Sequence, residues 1–89
     1  MKIVWDEAKR RTNLKKHGFD FADAPAAFAG VTYTIEDRRF AYGERRFITL
    51  GMLRDTVVVI AHTESARELR IISMRKASRH EQIIYFENL

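Results

Sequence analysis

Cationic and proton-transferring side chains are concentrated near the C-terminus. Arg70, Arg75, Lys76, His80 and Tyr85 fall within one predicted strand–helix corner. Arginine and lysine bind phosphate groups, whereas an imidazole or a phenol can move protons. The combination suits chemistry at a phosphodiester. It is also typical of a strand and a helix with solvated basic ends, and this stretch alone favours that simpler interpretation.

The remaining residue types narrow the chemistry. The 89 residues include no cysteine, which excludes disulfides, thiolate metal sites and a cysteine nucleophile. The three histidines lack the mutual spacing of metal ligands, and neither a glycine-rich phosphate loop nor a nucleophile elbow occurs. The inventory suffices for RNA cleavage without a metal or another cofactor. In that reaction a base deprotonates the 2′-hydroxyl, cations stabilise the charged phosphorane and an acid protonates the leaving 5′-oxygen.

A strand followed by a helix must position the C-terminal residues. Residues 68–74 alternate as a strand, whose period of two places Arg70 and Arg75 on opposite faces. Ser78 and Glu81 form the S-x-x-E pattern of a capping box, which predicts that a helix begins there. We therefore expect the cations at one strand–helix joint, although not on one face.

Two further helices are predicted near the N-terminus. Asp6 is a suitable N-cap for a helix over residues 7–17, which stops at the following glycine. A second, shorter helix follows, with Asp20 or Asp23 as its cap. Pro25 prefers a first turn and favours the later start.

Strands account for most of the remaining chain, and short turns connect them as an antiparallel meander. The predicted strands cover residues 31–38, 45–53, 56–63 and 68–74, with an edge strand at 3–5. The fold class is α+β: a curved antiparallel sheet of four to five strands with two N-terminal helices and one C-terminal helix, in a single domain. We expect the helices on one face of the sheet. We also expect one face to present Thr49, His62, Ser73 and Arg75 together.

The positive charge is concentrated in the first helix and its lead-in. Residues 1–19 carry the whole net charge of +4, and the rest of the chain is neutral. Lys9, Asn13, Lys16 and His17 share one polar face, which is typical of a solvated helix surface. Such a patch attracts a polyanion or an acidic protein partner, and composition does not decide between them. No apolar segment is long enough to span a membrane, so we expect a cytoplasmic protein.

Three ordered blocks of the sequence resemble one known family, the BrnT toxins. The segments WDEAK at residues 5–9 and KHG at residues 16–18 are similar to its N-terminal signature. YGER at residues 42–45 resembles its central hairpin, and RIISMRKA at residues 70–77 resembles its most characteristic block.

The resemblance implies a ribonuclease toxin of a type II toxin–antitoxin system, with a RelE-like fold, that inhibits translation. It also implies a cognate BrnA-like antitoxin with a ribbon-helix-helix DNA-binding domain. The toxin would then reach DNA only through the antitoxin complex, a heterotetramer that represses its own promoter.

Most of the candidate catalytic residues also have a structural alternative. For Arg70 it is an ion pair with one of three glutamates, Glu44, Glu64 or Glu81. For His62 it is a structural role in a strand, although imidazole titrates near neutrality. For Tyr85 it is packing with the hydroxyl at the rim, which we favour. The candidate catalytic set is Arg75, Arg70, His62, Glu44 and Tyr85.

The candidate RNA-binding residues are Lys16, His17, Arg45 and Lys76, and no metal ligand is predicted. Lys16 and His17 equally suit a solvated helix end, and Arg45 suits an ion pair with Glu44. These alternatives keep a second function open. In it the chain is a non-catalytic basic interaction module, the co-repressor partner of a DNA-binding protein.

Overall fold

Five strands and three helices make up the chain, and the computed structural model describes all of residues 1–89. In chain order they are β1 (Lys2–Trp5), α1 (Glu7–His17), a 3-10 turn (Phe21–Asp23), α2 (Ala24–Ala29), β2 (Thr32–Asp37), β3 (Arg46–Leu53), β4 (Thr56–Glu64), β5 (Glu68–Lys76) and α3 (Arg79–Glu87). The predicted α+β class is confirmed.

All five strands belong to one curved sheet with the order β1-β5-β4-β3-β2. Strands β2 to β5 form the predicted antiparallel meander. β1 is the predicted edge strand, but it pairs parallel to β5, with Lys2 opposite Glu68 and Trp5 opposite Ile71. A parallel pair requires a long connection, and here everything between the two strands supplies it.

Local signals determine where α1 begins and ends. The Asp6 carboxylate accepts a hydrogen bond from the Lys9 backbone N–H at 3.1 Å. At the other end Gly18 adopts φ 77°, and its N–H donates to the Leu14 carbonyl. Because only glycine takes this left-handed conformation without strain, the helix ends as the sequence predicts.

α2 begins late, as Pro25 indicates. Asp20 caps the 3-10 turn by accepting from the Ala22 N–H at 2.9 Å, and α2 then starts at Ala24. The helix lies close to β3, where a Cβ at Gly51 would lie 3.4 Å from the Ala27 carbonyl oxygen. The missing side chain at Gly51 therefore lets α2 approach the sheet.

The sheet carries a separate hydrophobic cluster on each face. On one face, called the α2 face, the buried residues come from the 3-10 turn, α2 and the sheet: Phe21, Ala24, Ala27, Leu53, Val58, Ile60, Leu69, Ile71 and Met74. On the other, the α3 face, they are Leu50, Val57, Val59, Ala77 and Tyr85. The expectation that all helices share one face is therefore wrong, since α3 packs opposite α2. It covers only part of its face and leaves the end near Arg46 and Arg70 open.

A β-bulge in β5 changes which of its side chains share a face. Ala61 pairs with Ser73 and His62 with Ile71, so Ile72 is an extra residue without a partner. A bulge of this kind shifts the alternation by one position. As a result Ile71 and Met74 are both buried on the α2 face, contrary to the strict alternation expected from the sequence.

Asn13 of α1 is buried rather than solvated, and the exposed fraction of the residue is 7%. Its Nδ2 donates to the Met74 carbonyl at 2.8 Å, and its Oδ1 accepts from the Met74 N–H at 3.1 Å. A third bond runs from Nδ2 to the Phe19 carbonyl. Beyond the end of β1 the edge of β5 has no neighbouring strand, and the Asn13 amide replaces one.

Candidate functional site

The open end of the α3 face carries a row of polar side chains across four strands. In the register of the sheet, Asp37 of β2 lies opposite Arg46 of β3. Arg46 in turn lies opposite Thr63 of β4, and Thr63 lies opposite Arg70 of β5. Directly paired residues of an antiparallel sheet project on the same face. Arg46 and Arg70 are thus two strands apart, about 10 Å between backbones, with only the small Thr63 between them.

Glu44 links the two arginines of this row. Its carboxylate lies 3.3 Å from Arg70 Nη2 and 3.5 Å from Arg46 Nε. Arg46 also lies over the Tyr42 ring, with 4.1 Å from its guanidinium carbon to the ring centre. A carboxylate, two guanidinium groups and an aromatic ring therefore meet at one end of the sheet.

Arg75 lies on the same face as Arg70 because of the bulge. Arg75 pairs with Val59 and Arg70 with Thr63, two β4 residues on the α3 face. The prediction that the two arginines lie on opposite faces is wrong. A regular alternation along β5 does not include the inserted Ile72, which shifts Arg75 onto the face of Arg70.

The Arg75 side chain is bound by Glu81 through two parallel hydrogen bonds, Nη1–Oε1 at 2.8 Å and Nη2–Oε2 at 2.9 Å. Hydrogen bonds from Arg75 lower the pKa of Glu81 to about 2, and the same contacts raise the pKa of Arg75. Glu81 also completes the predicted capping box, accepting from the Ser78 N–H at 2.8 Å. Arg75 therefore joins β5 to the start of α3.

Arg45 and Arg46 point away from each other. Arg45 pairs with Glu36 at 3.1 Å rather than with the neighbouring Glu44, and its guanidinium lies over Phe47 on the α2 side. Arg46, absent from the predicted set, belongs to the polar row. The alternation of β3 contained the signal, because only one of two adjacent arginines can face the row.

His62 lies in the core of the α2 face with 0% of its surface exposed. Its Nε2 shares a 2.7 Å hydrogen bond with Thr49 Oγ1, and its ring packs between Phe28 and Phe47. Nδ1 makes no hydrogen bond, although it lies 3.5 Å from Glu64 Oε1. Burial lowers the pKa of His62 to about 4, so the ring is neutral near pH 7.

The expected face that joins Thr49 and His62 with Ser73 and Arg75 does not form. Thr49 and His62 lie on the α2 face, whereas Arg75 lies on the α3 face. Tyr85 is buried, and its hydroxyl donates to the Val31 carbonyl at 2.8 Å. Neither His62 nor Tyr85 contacts the polar row.

Lys16 and His17 line a groove between α1 and the bulged part of β5, together with Lys9 and Ser73. Neither Lys9 nor Lys16 forms an ion pair, whereas Arg10 of the same helix binds Glu7 and Asp20. Two unpaired lysines of α1, Lys9 and Lys16, therefore line this groove. Lys76 is exposed at the far end of β5, near Gln82 and Phe86 of α3.

The sequence matches a known family along most of its length. Residues 5–81 match the family model described as "Ribonuclease toxin, BrnT, of type II toxin-antitoxin system". The match reaches from the end of β1 to the start of α3 and includes the whole polar row. The chain belongs to the BrnT toxin family. A search of curated proteins finds no match.

Family membership makes the chain a ribonuclease toxin of a type II toxin–antitoxin system, and such a toxin has an antitoxin partner. None of the three helices has the length and apolar character needed to cross a bilayer. Of the residues predicted from the sequence, Glu44 and Arg70 meet at the polar row, Arg45 lines a cavity with both of them, and Arg75 lies farther along the same face. Lys16 and His17 form a separate basic groove, and Lys76 stands apart from both.

Proposed function

We propose that this BrnT toxin cleaves RNA at the polar row on the open end of its α3 face, by acid–base chemistry without a metal ion. The observation that carries the proposal is the alignment of Arg46 and Arg70 on either side of Thr63, with Glu44 between their guanidinium groups. Two cations that share one carboxylate suit the doubly charged phosphorane of RNA cleavage.

The phosphate competes with Glu44 for the same cations. When the phosphodiester binds Arg46 and Arg70, Glu44 is released from its ion pairs beside the reacting ribose. Glu44 then accepts the proton of the 2′-hydroxyl, whose oxygen attacks phosphorus. The bond to the 5′-oxygen breaks, and the leaving oxygen takes a proton from solvent on the open face. The products are a 2′,3′-cyclic phosphate and a 5′-hydroxyl.

Other predicted residues have supporting roles in this proposal. Arg75, whose charge is neutralised by Glu81, lies on the same face outside the reacting centre and joins β5 to α3. Lys16 and His17 in the α1 groove bind the RNA backbone farther along the strand. Burial favours structural roles for His62 and Tyr85, because neither side chain can reach a substrate while the core is closed.

The antitoxin partner is, in the same proposal, BrnA-like, with a ribbon-helix-helix domain through which a heterotetramer represses its promoter.

The second candidate function is the non-catalytic interaction module. One observation favours it: each arginine on the α3 face already has a carboxylate partner. Ion pairs of this kind are also expected on a surface whose role is purely structural.

Arg70→Ala separates the two functions, because Arg70 is exposed and pairs only with Glu44. The test is induced expression in a bacterial host, with growth and total RNA examined, beside capture of the purified antitoxin. Cleavage predicts that wild type arrests growth and degrades RNA, whereas Arg70→Ala does neither and still binds the antitoxin. If Arg70→Ala loses both its toxicity and its binding to the antitoxin, the interaction module is favoured. Normal growth and intact RNA with folded wild-type protein would overturn the cleavage proposal.

A further inference from the structure

An apolar groove adjoins the polar row on the α3 face. Its floor consists of apolar and aromatic side chains from β2, β3 and α3: Tyr33, Ile35, Ile48, Leu50 and Ile84. Charged residues of both signs form its rim: Glu36, Asp37, Arg38, Arg39 and Glu81. The cavity measures about 250 Å³, which is below the roughly 300–1,000 Å³ of pockets that hold a whole small molecule. It suits one planar part of a larger ligand.

The loop between β2 and β3 borders this groove through Arg38 and Arg39 and contains arginine–aromatic contacts. Arg39, which lines the groove, lies 5.9 Å from the Phe40 ring centre, and Phe40 packs edge-to-face on Tyr42. All three cation–π contacts of the protein involve arginines of this loop or of the first residue of β3. Phe40 itself is 66% exposed. Exposed aromatic rings interleaved with arginine are the usual stacking surface for unpaired bases.

Strand geometry connects the groove with the polar row. Ile48 on the groove floor is two residues from Arg46 along β3, a rise of about 6.7 Å. Asp37 belongs to both, since it lines the groove and lies opposite Arg46 in the β2–β3 register. A nucleotide whose phosphate binds Arg46 therefore has its base within reach of the groove.

We propose that this groove, together with the exposed Phe40 beside Arg39 of its rim, holds one unpaired base of single-stranded RNA next to the phosphate that is cleaved. The inference rests on the proposed ribonuclease site and adds a base-specific contact to it. A protein segment is less suited, because a rim of mixed charge is not complementary to an acidic or a basic chain, whereas apolar walls and arginine edges suit a base. The groove is thus the part of the toxin that selects where RNA is cut.

The test uses short RNA with 2′-O-methyl groups, which binds but cannot be cleaved through its 2′-oxygen. One base at a time is replaced by an abasic site, and affinity is measured by fluorescence anisotropy. For wild type, loss of the base at one position should weaken binding about 10-fold, the usual worth of one stacked base. Phe40→Ala should bind the intact RNA about as weakly as wild type binds that abasic RNA. The abasic change should then cost Phe40→Ala less than about 2-fold, since the contact is already lost.

The chain supplies matched controls among the residues of α3 that do not line the groove. Phe86 is a phenylalanine with 52% exposure, and Ile83 has the same 48% exposure as Ile35 of the groove. Phe40→Ala and Ile35→Ala should lose base selectivity in binding and in the cleavage pattern of natural RNA. Phe86→Ala and Ile83→Ala should retain both.

The outcomes distinguish this inference from the ribonuclease proposal. Wild type that binds and cleaves RNA, with Phe40→Ala and Ile35→Ala equal to their controls, would overturn the base groove and leave the ribonuclease site standing. Wild type that neither binds nor cleaves RNA would overturn both. Weaker antitoxin binding by Phe40→Ala, with unchanged RNA binding, would assign the groove to a protein partner instead and overturn the proposal.

Discussion

Asn13 and Met74 are joined by two hydrogen bonds in which a side-chain amide pairs with the backbone of a strand edge. The bonds measure 2.8 and 3.1 Å and link residues 61 positions apart in the sequence. They attach α1, which carries the free lysines, to β5, which carries Arg70 and Arg75. The buried Asn13 side chain therefore fixes the position of the basic residues of α1 relative to those of β5.

Asn13→Leu should lower the free energy of unfolding by about 3 kcal/mol, because the buried N–H and carbonyl of Met74 then lose their partner. Chemical denaturation measures the loss. Thr12→Ala is the control, since the exposed Thr12 hydroxyl bonds only within α1, to the Ala8 carbonyl. Equal stabilities of the two variants would show that the amide clamp contributes nothing.

Arg46→Ala should reduce RNA cleavage about 100-fold, as expected for removal of one group that stabilises the charged transition state. Arg54→Ala is the control, because Arg54 is an exposed arginine in the turn at the opposite end of β3, where it pairs with Asp23. Cleavage assays with both purified variants decide the matter. Similar losses for the two variants would contradict the assignment of the site to the α3 face.

Glu81→Gln should weaken the dependence of stability on acid pH. The folded-state pKa of Glu81 is about 2, below its usual 4.5, so the ion pair with Arg75 stabilises the fold fully above pH 4.5. That stabilisation decreases as the pH falls from 4.5 towards 2, and about 2 kcal/mol is expected once solvent screening is included. Denaturation at pH 7 and at pH 3 should show a smaller difference for Glu81→Gln than for wild type. An unchanged difference would mean that the pair adds no net stability.

His62→Gln should flatten stability between pH 6.5 and pH 4. The unfolded chain binds a proton at His62 below its usual pKa of 6.5, whereas the buried ring binds one only near pH 4. Acid therefore favours unfolding in this window, by up to about 3 kcal/mol at its lower end. Equal slopes for His62→Gln and wild type would show that burial does not keep this ring neutral.

The same variant tests the catalytic prediction for His62. The side-chain amide introduced by His62→Gln can keep the hydrogen bond to Thr49, so the fold at pH 7 should survive. We expect RNA cleavage to be retained within about 3-fold, far less than the 100-fold or greater loss expected for a general acid or base. Abolished cleavage by folded His62→Gln would restore His62 to the active site.

Lys16→Ala should reduce the salt dependence of RNA binding. Each phosphate contact on a single strand contributes about 0.7 to the slope of log affinity against log salt. The slope should therefore decrease by about 0.7 in magnitude for Lys16→Ala and stay the same for Lys2→Ala on β1. A change of equal size in both variants would indicate a general effect of net charge rather than binding in the α1 groove.

Local signals in the sequence were sufficient to predict the elements. Asp6, Gly18 and the Ser78–Glu81 box act on backbone groups within one turn, so the ends of α1 and the start of α3 are confirmed. Properties that depend on distant partners could not be predicted this way. Asn13 looked solvated because the free edge of β5 that it covers is far away in the sequence.

The site was harder to predict than the fold for the same reason. Arg70 and Arg75 share a face only because Ile72 is inserted in β5, and a period-two pattern cannot show such an insertion. Arg46 was missed because two adjacent arginines are equivalent until the register of β3 is known. The sequence places His62 near the end of an apolar strand, but β4 continues to Glu64 and Phe28 covers the ring.

The parallel pairing of β1 with β5 has a consequence for how the toxin is made. β1 is the first strand of the chain and cannot pair until β5, the last strand, has been synthesised. Contacts between such distant parts of a chain form slowly. During synthesis the polar row is incomplete until β5 has left the ribosome, so a nascent chain should be unable to cut RNA, including the message that encodes it. Stalled chains that end before β5 and still cleave RNA would disprove this. If they do not cleave it, the order in which the strands emerge would keep the proposed site inactive until the chain is nearly finished.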